Sequence, residues 1–490
     1  MNLVSKIFEE AIKQKEIEYI NKENKKWRLN FHLMPPVGWL NDPNGLCYFK
    51  GEYHIFFQYS PFEVEGGLKF WGHYTTKDLI NYKYIGVSIY PDEKYDCHGV
   101  YSGSAFIEDD KIYIYYTGNV KLLGEHDYIE SGREANTMLT ISDDGINFSE
   151  KECLMEMKDY PKGITNHIRD PKVWKRDDDY YMVQGARKYG VDRDNDIGEV
   201  LIFSSKDKRN WKHISTVNTK DRFGYMWECP DLFNLYGQNI LITCPQGVKQ
   251  IESVYENIYL SGYFLINDDY KNKDSITVDN FRVLDNGFDF YAPQTFLDEN
   301  GNRVIIGWMG VPDTEETHKN LSFQYGWQHC LTIARELSFK NGKLYQKPHR
   351  SLEKLRNSII FENKCSYSSL SDNLISTDSY EVIVDNIKYS DNFELLISEG
   401  VSIKYKENKF ILEFVNDIGK QIGGGRGKRS SYLEKLENIR ILIDTSAIEV
   451  FVNDGEMVFT TRYYPDKYSF RVSGDMSLKI YKLECFNFTY

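Results

Sequence analysis

Three short segments recur along the first half of the chain at an almost constant interval. Thr76-Lys77-Asp78-Leu79-Ile80-Asn81-Tyr82, Ser142-Asp143-Asp144-Gly145-Ile146-Asn147-Phe148 and Ser205-Lys206-Asp207-Lys208-Arg209-Asn210-Trp211 each read hydroxyl, polar, Asp, two variable residues, Asn, aromatic. They begin 66 and 63 residues apart. A period of this size marks a repeat architecture. Strand-like runs preceded by turn residues start near Tyr53, Ile112, Tyr180, Ile240 and Val304, giving five units between about Asn30 and Pro348. Aromatic residues make up 15% of the chain, in keeping with strands. Four-stranded units that stack radially leave few exposed edges. The expected fold is all-β: a five-bladed β-propeller followed by a C-terminal β-sandwich.

Just upstream of each run lies the segment that forms the innermost strand of its blade. These are Asn41-Asp42-Pro43, Tyr101-Ser102-Gly103-Ser104, Arg169-Asp170-Pro171, Glu228-Cys229-Pro230 and Tyr291-Ala292-Pro293-Gln294. Taken alone, Asn41-Asp42-Pro43-Asn44-Gly45 reads as a turn. Four of the five segments, however, carry a proline one or two residues after the polar position. A shared register around one axis points Asp42, Asp170 and Glu228 at one another, although they are 128 and then 58 residues apart. Crowded carboxyls repel, so their pKa values diverge; one stays ionised as a nucleophile while another holds a proton to donate. That pairing cleaves glycosidic bonds, with retention at a carboxyl separation of about 5–5.5 Å and inversion at about 6.5–9.5 Å.

Trp39 to Gly45, Phe56-Phe57-Gln58-Tyr59-Ser60-Pro61, Trp71-Gly72-His73, Tyr101 to Ala105, Arg169-Asp170-Pro171, Glu228-Cys229-Pro230 and Phe290 to Gln294 together resemble glycoside hydrolase family 32. That family holds invertases, fructan hydrolases and bacterial sucrose-6-phosphate hydrolases. The likeness extends to Ile443-Asp444-Thr445-Ser446-Ala447-Ile448-Glu449-Val450-Phe451-Val452-Asn453-Asp454-Gly455 in the sandwich. It implies Asp42 as nucleophile, Glu228 as general acid then base, and Asp170, with Arg169 beside it, as the stabiliser of the transition state. It also implies a fructose pocket lined by Trp39, Leu40, Asn41, Gln58, Trp71, Tyr101 and Ser102, with Ser104, Tyr291 and Trp308 as looser candidates. No cofactor or metal is implied. The implied activity is a retaining β-fructofuranosidase acting on sucrose 6-phosphate and on sucrose. The alternatives are a fructan hydrolase, a fructosyltransferase, an inverting furanosidase and a non-catalytic sugar-binding scaffold. Phosphate recognition needs Arg or Lys at the rim, and Lys69, Arg133, Arg187 and Lys188 fall in suitable loops.

The remaining chain divides into an N-terminal helical segment over 1–29, a linker over 349–358 and a sandwich over 359–490 with strand alternation and an Asn453-Asp454-Gly455 hairpin signal. A net charge of −13 without a basic stripe argues against nucleic acid as a partner. No apolar run is long enough for a membrane helix, and Met1 to Lys26 lacks the apolar core of a signal peptide. The eight cysteines form no C-x-x-C pair and read as reduced thiols, so a cytoplasmic enzyme with a small sugar as partner is expected. Asp192 to Gly198 starts like a calcium loop, but its glycine is one place late and the twelfth position is Phe203. Gly423 to Lys428 lacks the P-loop spacing. His73 and His167 are read as structural, and Cys229 as packing or tuning beside Glu228.

Overall fold

The computed structural model describes residues 2–22, 25–267, 269–311, 320–365, 375, 377–388 and 393–489. Five sheets, antiparallel apart from edge strands in the first and third, succeed one another up to Pro348. Their innermost strands are β1 (Gly38–Phe49), β2 (Val100–Glu108), β3 (Ile164–Arg176), β4 (Met226–Leu235) and β5 (Tyr291–Leu297). Each packs against the next, and β5 packs back onto β1, so the ring is closed. Closure removes the inner edges that would otherwise invite pairing with other chains.

The proline register has a mechanical cause. Pairing between each innermost strand and its neighbour slips at a shared point, and β1 and β3 slip at a second as well. The shared slips fall between Leu40 and Pro43, Val100 and Gly103, Arg169 and Lys172, Glu228 and Asp231, and Tyr291 and Gln294. Proline has no N–H to give a ladder, so a bulge is where a strand tolerates it. Asp170, Cys229 and Ala292 each precede a proline, and their φ angles are 63°, 48° and 47°. These are left-handed values that side chains disfavour. The bulges re-aim side chains, and they do so at one height in every blade.

The recurring seven-residue signature is the turn from third to fourth strand. In the first blade the Asp78 carboxylate accepts the Ile80 and Asn81 N–H groups and the Asn81 amide, while Thr76 Oγ1 accepts the Leu79 N–H. Asp144 with Asn147 and Asp207 with Asn210 repeat the same bonds. The fourth position is left-handed in all three: Leu79, Gly145 and Lys208 at φ 60°, 78° and 69°. Backbone and side-chain donors from Asn210 hold the Asp207 carboxyl well below the usual carboxylate range.

Beyond the 3₁₀ turn Arg350–Leu355, a six-stranded and a five-stranded sheet pack face to face around a core that includes Val382, Leu395, Ile403, Phe410 and Ile441. The Asp444 to Glu449 stretch faces the propeller. Asp444 accepts the Asn30 and Phe31 N–H groups and contacts His32 Nδ1 at 2.9 Å. Glu449 contacts His32 Nε2 at 3.0 Å and accepts from Ile333 N and from Arg335 at 2.6 Å. The last strand, Asn487–Thr489, leaves the sandwich and adds in parallel to the outer strand of the first blade, which differs from a division giving all of 359–490 to the sandwich. The helix Leu3–Ile20 covers the same blade; Glu16 accepts from Tyr59 and Tyr84, and Phe8 meets Phe70 edge-on.

Candidate active site

A cavity of about 820 Å³ opens at one end of the propeller axis. Asp42, Asp170 and Glu228 all line it, on β1, β3 and β4. The three are brought together by the bulges, and their surroundings differ. Asp42 accepts from Asn41 Nδ2 at 3.1 Å and from Ser102 Oγ. Gln58 ties these two donors together: its Oε1 accepts from Asn41 at 2.5 Å and its Nε2 donates to Ser102 at 2.9 Å. Trp39 Nε1 donates to Asn41 Oδ1 at 2.9 Å and fixes the orientation of that amide. Burial raises the Asp42 carboxyl, against Ser102 and Asn41, which lower it.

Asp170 sits 5% exposed. It accepts the Cys229 N–H at 2.9 Å, and its own N–H donates to Thr117. Burial lifts its carboxyl to about 7; Arg169 opposes this, while Glu228 and Asp42 add to it. The Cys229 thiol lies between the two aspartates, 3.6 Å from Asp170 Oδ2 and 3.8 Å from Asp42 Oδ2. Its own pKa is far above the usual thiol value, through Cys244, burial and both carboxylates, so it remains a donor.

Glu228 is held differently. Arg169 donates to its Oε1 through Nε at 2.9 Å and Nη2 at 2.6 Å, while Gln246 and Tyr291 donate to Oε2 at 2.6 and 2.7 Å. Arg169 is itself steadied by His167 Nδ1 at 3.0 Å. Burial and the surrounding arginines push His167 down to about 2, so its ring is neutral and acts as an acceptor. Both aspartates in this cavity are lifted by burial, Asp170 to about 7.

The expected lining residues separate into two sets. Trp39, Asn41, Gln58, Tyr101, Ser102, Arg169, Tyr291 and Trp308 line the cavity. Trp39, Trp308 and Tyr291 form a continuous aromatic side, with ring centroids 5.9 and 6.3 Å apart along it. Leu40, Trp71 and Ser104 do not reach the cavity. Leu40 is fully buried in the core beneath β1, because successive strand residues point to opposite faces. Trp71 lies behind the wall and donates to the Tyr101 carbonyl at 3.2 Å. Ser104 donates to the Pro171 carbonyl at 2.8 Å and ties β2 to β3. Lys69, Arg133 and Arg187 reach the cavity, whereas Lys188 lies outside its lining and faces Glu199 at 3.6 Å.

Several residues in this wall carry no motif. Gln246 and Lys121 end the second strands of the fourth and second blades, His167 lies on β3, and His98 and Tyr259 come from connections. Only their pairing with motif residues identifies them, as with Gln246 on Glu228. Among the described residues no cluster of His, Cys, Asp or Glu is arranged to hold a metal ion. The calcium-like stretch instead supplies Asp196 to the Arg187 guanidinium at 2.7 Å.

Three carboxylates in differing environments, Asp170 buried and Asp42 and Glu228 half-buried, beside an aromatic platform at the axis of a closed five-bladed propeller, define a glycoside hydrolase. Residues 32–348 match Glycosyl hydrolases family 32 N-terminal domain and residues 352–482 match Glycosyl hydrolases family 32 C terminal. The chain belongs to glycosyl hydrolases family 32. A sucrose-6-phosphate hydrolase of Bacillus subtilis is 38% identical over 446 residues, covering 89% of each protein. A sucrose-6-phosphate hydrolase from Lactobacillus gasseri has a solved structure that superposes with a TM-score of 0.85 at 27% identity, covering 97% of both chains. A Bombyx mori β-fructofuranosidase mutant, solved in complex with sucrose, gives 0.84 at 28% identity and covers 100% of both.

Proposed function

We propose that this chain hydrolyses the fructosyl linkage of sucrose 6-phosphate by double displacement. The observation that supports this most directly is the unequal treatment of two carboxylates across one cavity. Asp42 is braced by Ser102 and Asn41 as an oriented acceptor, while Glu228 is gripped from both sides by Arg169, Gln246 and Tyr291. In this reading an Asp42 oxygen attacks the anomeric carbon of the fructosyl unit. Glu228 gives its proton to the departing glycosidic oxygen, so the glucose 6-phosphate leaves as an alcohol. The fructosyl ester on Asp42 is then opened by water, and Glu228 takes the proton back. Asp170 grips fructose hydroxyls as positive charge spreads over the ring. Arg169 turns from Glu228 to the sugar, which frees the Glu228 carboxyl to carry its proton.

The names of the Bacillus and Lactobacillus relatives support the phosphorylated disaccharide, and the cations on the cavity wall accord with it. All eight cysteines are free thiols, which suits a cytoplasmic reaction on an imported, phosphorylated sugar. Proton NMR of the first fructose released tests the stereochemistry: the β-anomer is expected, and first release of the α-anomer rejects double displacement. Relative kcat/KM on sucrose 6-phosphate, sucrose and inulin tests the substrate; equal or better turnover of sucrose rejects the phosphorylated one.

A further inference from the structure

We propose that Lys121 and Arg133, opposite one another on neighbouring strands of the second blade, form a subsite for a phosphomonoester dianion carried on the leaving sugar. The inference rests on the reading of Glu228 as the group that protonates that leaving sugar, and on a phosphorylated substrate. The strands 111–121 and 133–142 pair so that Lys121 lies directly across from Arg133, and both residues line the axial cavity. Like charges facing each other across a ladder are unfavourable, so the pairing needs a compensating charge.

No carboxylate among the described residues forms an ion pair with either of them. Every other arginine on this wall has one: Arg169 has Glu228 and Arg187 has Asp196. Arg133 is half-buried, and its Nε has no hydrogen-bond partner. Burial and the Arg169 charge both lower the Arg133 pKa, and burial and Arg133 lower that of Lys121. Among the described residues this wall's two cations therefore meet no contacting carboxylate; Lys121 stands over the Tyr128 ring at 5.5 Å, and Glu228 acts on Arg133 from a distance.

The position fits a leaving group. Lys121, Arg133, Arg169 and Glu228 line the same cavity, so a sugar departing from an oxygen held by Glu228 has this wall beside it. A planar guanidinium beside an ammonium suits a phosphate's three oxygens, the first by a two-pronged contact and the second as a point charge. His98 also lines the cavity, and its Nδ1 accepts the Lys121 N–H at 3.2 Å. That leaves the ring proton on Nε2, a third donor on the same side. Of the other basic residues, Lys69 stands over the Trp39 ring at 5.1 Å, among the loop residues after the second strand of the first blade.

The test uses the full chain with sucrose as reporter substrate and compares inhibition by glucose 6-phosphate with inhibition by glucose. In the wild type, glucose 6-phosphate is expected to bind more tightly, and Arg133→Gln and Lys121→Gln each to cut the ratio of the two inhibition constants about tenfold, as loss of a charge-assisted contact does. Arg133→Lys should recover part of it. A ratio that changes less than threefold in both glutamine variants, or a wild type that does not distinguish the two sugars, overturns the subsite. If Arg133→Gln does not fold, Lys121→Gln and Arg133→Lys decide the matter. A wild type with no preference for sucrose 6-phosphate over sucrose in kcat/KM, but with the inhibition ratio intact, rejects the substrate reading and keeps the subsite.

Discussion

Two charge clusters of this molecule, one at the seam between its domains and one at the propeller axis, are built by opposite rules. At the seam between propeller and sandwich, Asp285, Asp444 and Glu449 meet His32 and Arg335, all fully or almost fully buried. Nearly every oxygen there has a donor, and Arg335 alone bonds Glu449, Asp285, Gln346 and Thr460. At the propeller axis, Arg169 stands among three carboxylates and bonds Glu228. Balanced charge gives rigidity and holds the two domains in register. Unbalanced charge keeps the Asp170 carboxyl near 7, with the Cys229 N–H and thiol as donors to its Oδ2, which is a store of chemistry. Asp170 is buried like the seam acids, so burial alone does not separate a structural charge from a functional one. The ratio of acids to donors does.

The largest effect should come from breaking the axial cluster. Asp42→Asn and Glu228→Gln each remove a reacting group while keeping shape, and kcat on sucrose should fall by about 10³-fold or more, with the melting transition retained. A variant that keeps a tenth of the wild-type rate removes that residue from the mechanism. Breaking the seam should do the reverse. Glu449→Gln or Arg335→Met leaves an uncompensated buried charge and should cost about 3–5 kcal/mol. Equilibrium unfolding in urea reads this, and any lost activity should track the lost folded fraction. A loss of activity per folded molecule would mean that the seam shapes the cavity directly.

A smaller test sharpens the comparison within the axial site. Tyr291→Phe takes one donor from Glu228 Oε2 and leaves Gln246 in place. A hydrogen bond to a charged group contributes about 1.5–3 kcal/mol, so kcat/KM should drop about tenfold, with a shifted pH profile. An unmoved profile would mean that Tyr291 touches Glu228 without tuning it.

The axial cluster was legible in the sequence because its carrier is periodic. The polar–proline register recurs in four of the five blades, and the physical reason is the bulge, which both tolerates proline and turns the carboxylates inward. Residues without that register were not legible. Gln246 and His167 act through Glu228 and Arg169, and nothing in their own neighbourhood announces it. Leu40, Trp71 and Ser104 failed for a related reason: a motif records what is kept together in the chain, not which face of a strand points into a cavity. The seam was half legible. The stretch from Ile443 to Gly455 stood out, yet Asp444 and Glu449 find their partners at His32, Ile333 and Arg335, and no spacing links those positions.

The smallest effect distinguishes the clusters by pH. Asp170 and His32 both have folded pKa values above their unfolded ones, so each favours the folded state at low pH and loses that contribution as pH rises. For Asp170 the loss runs from about 4, the unfolded aspartate value, up to about 7. For His32 the contribution is whole below about 6.5 and falls as pH passes upward through its raised value; burial opposes that rise, and Asp444 and Glu449 outweigh it. The shared sign hides opposite meanings. Ionised Asp170 strains the fold for the sake of the site, so Asp170→Asn should lose activity yet raise Tm at pH 8 by about 2–4 °C, with the gain fading towards pH 4. Protonated His32 completes a balanced network, so His32→Gln should lower Tm, most of all at pH 6 and below. An Asp170→Asn variant less stable than wild type at pH 8 would show that this carboxylate is as well supported as those at the seam, and the contrast between unbalanced and balanced charge would no longer separate the two regions.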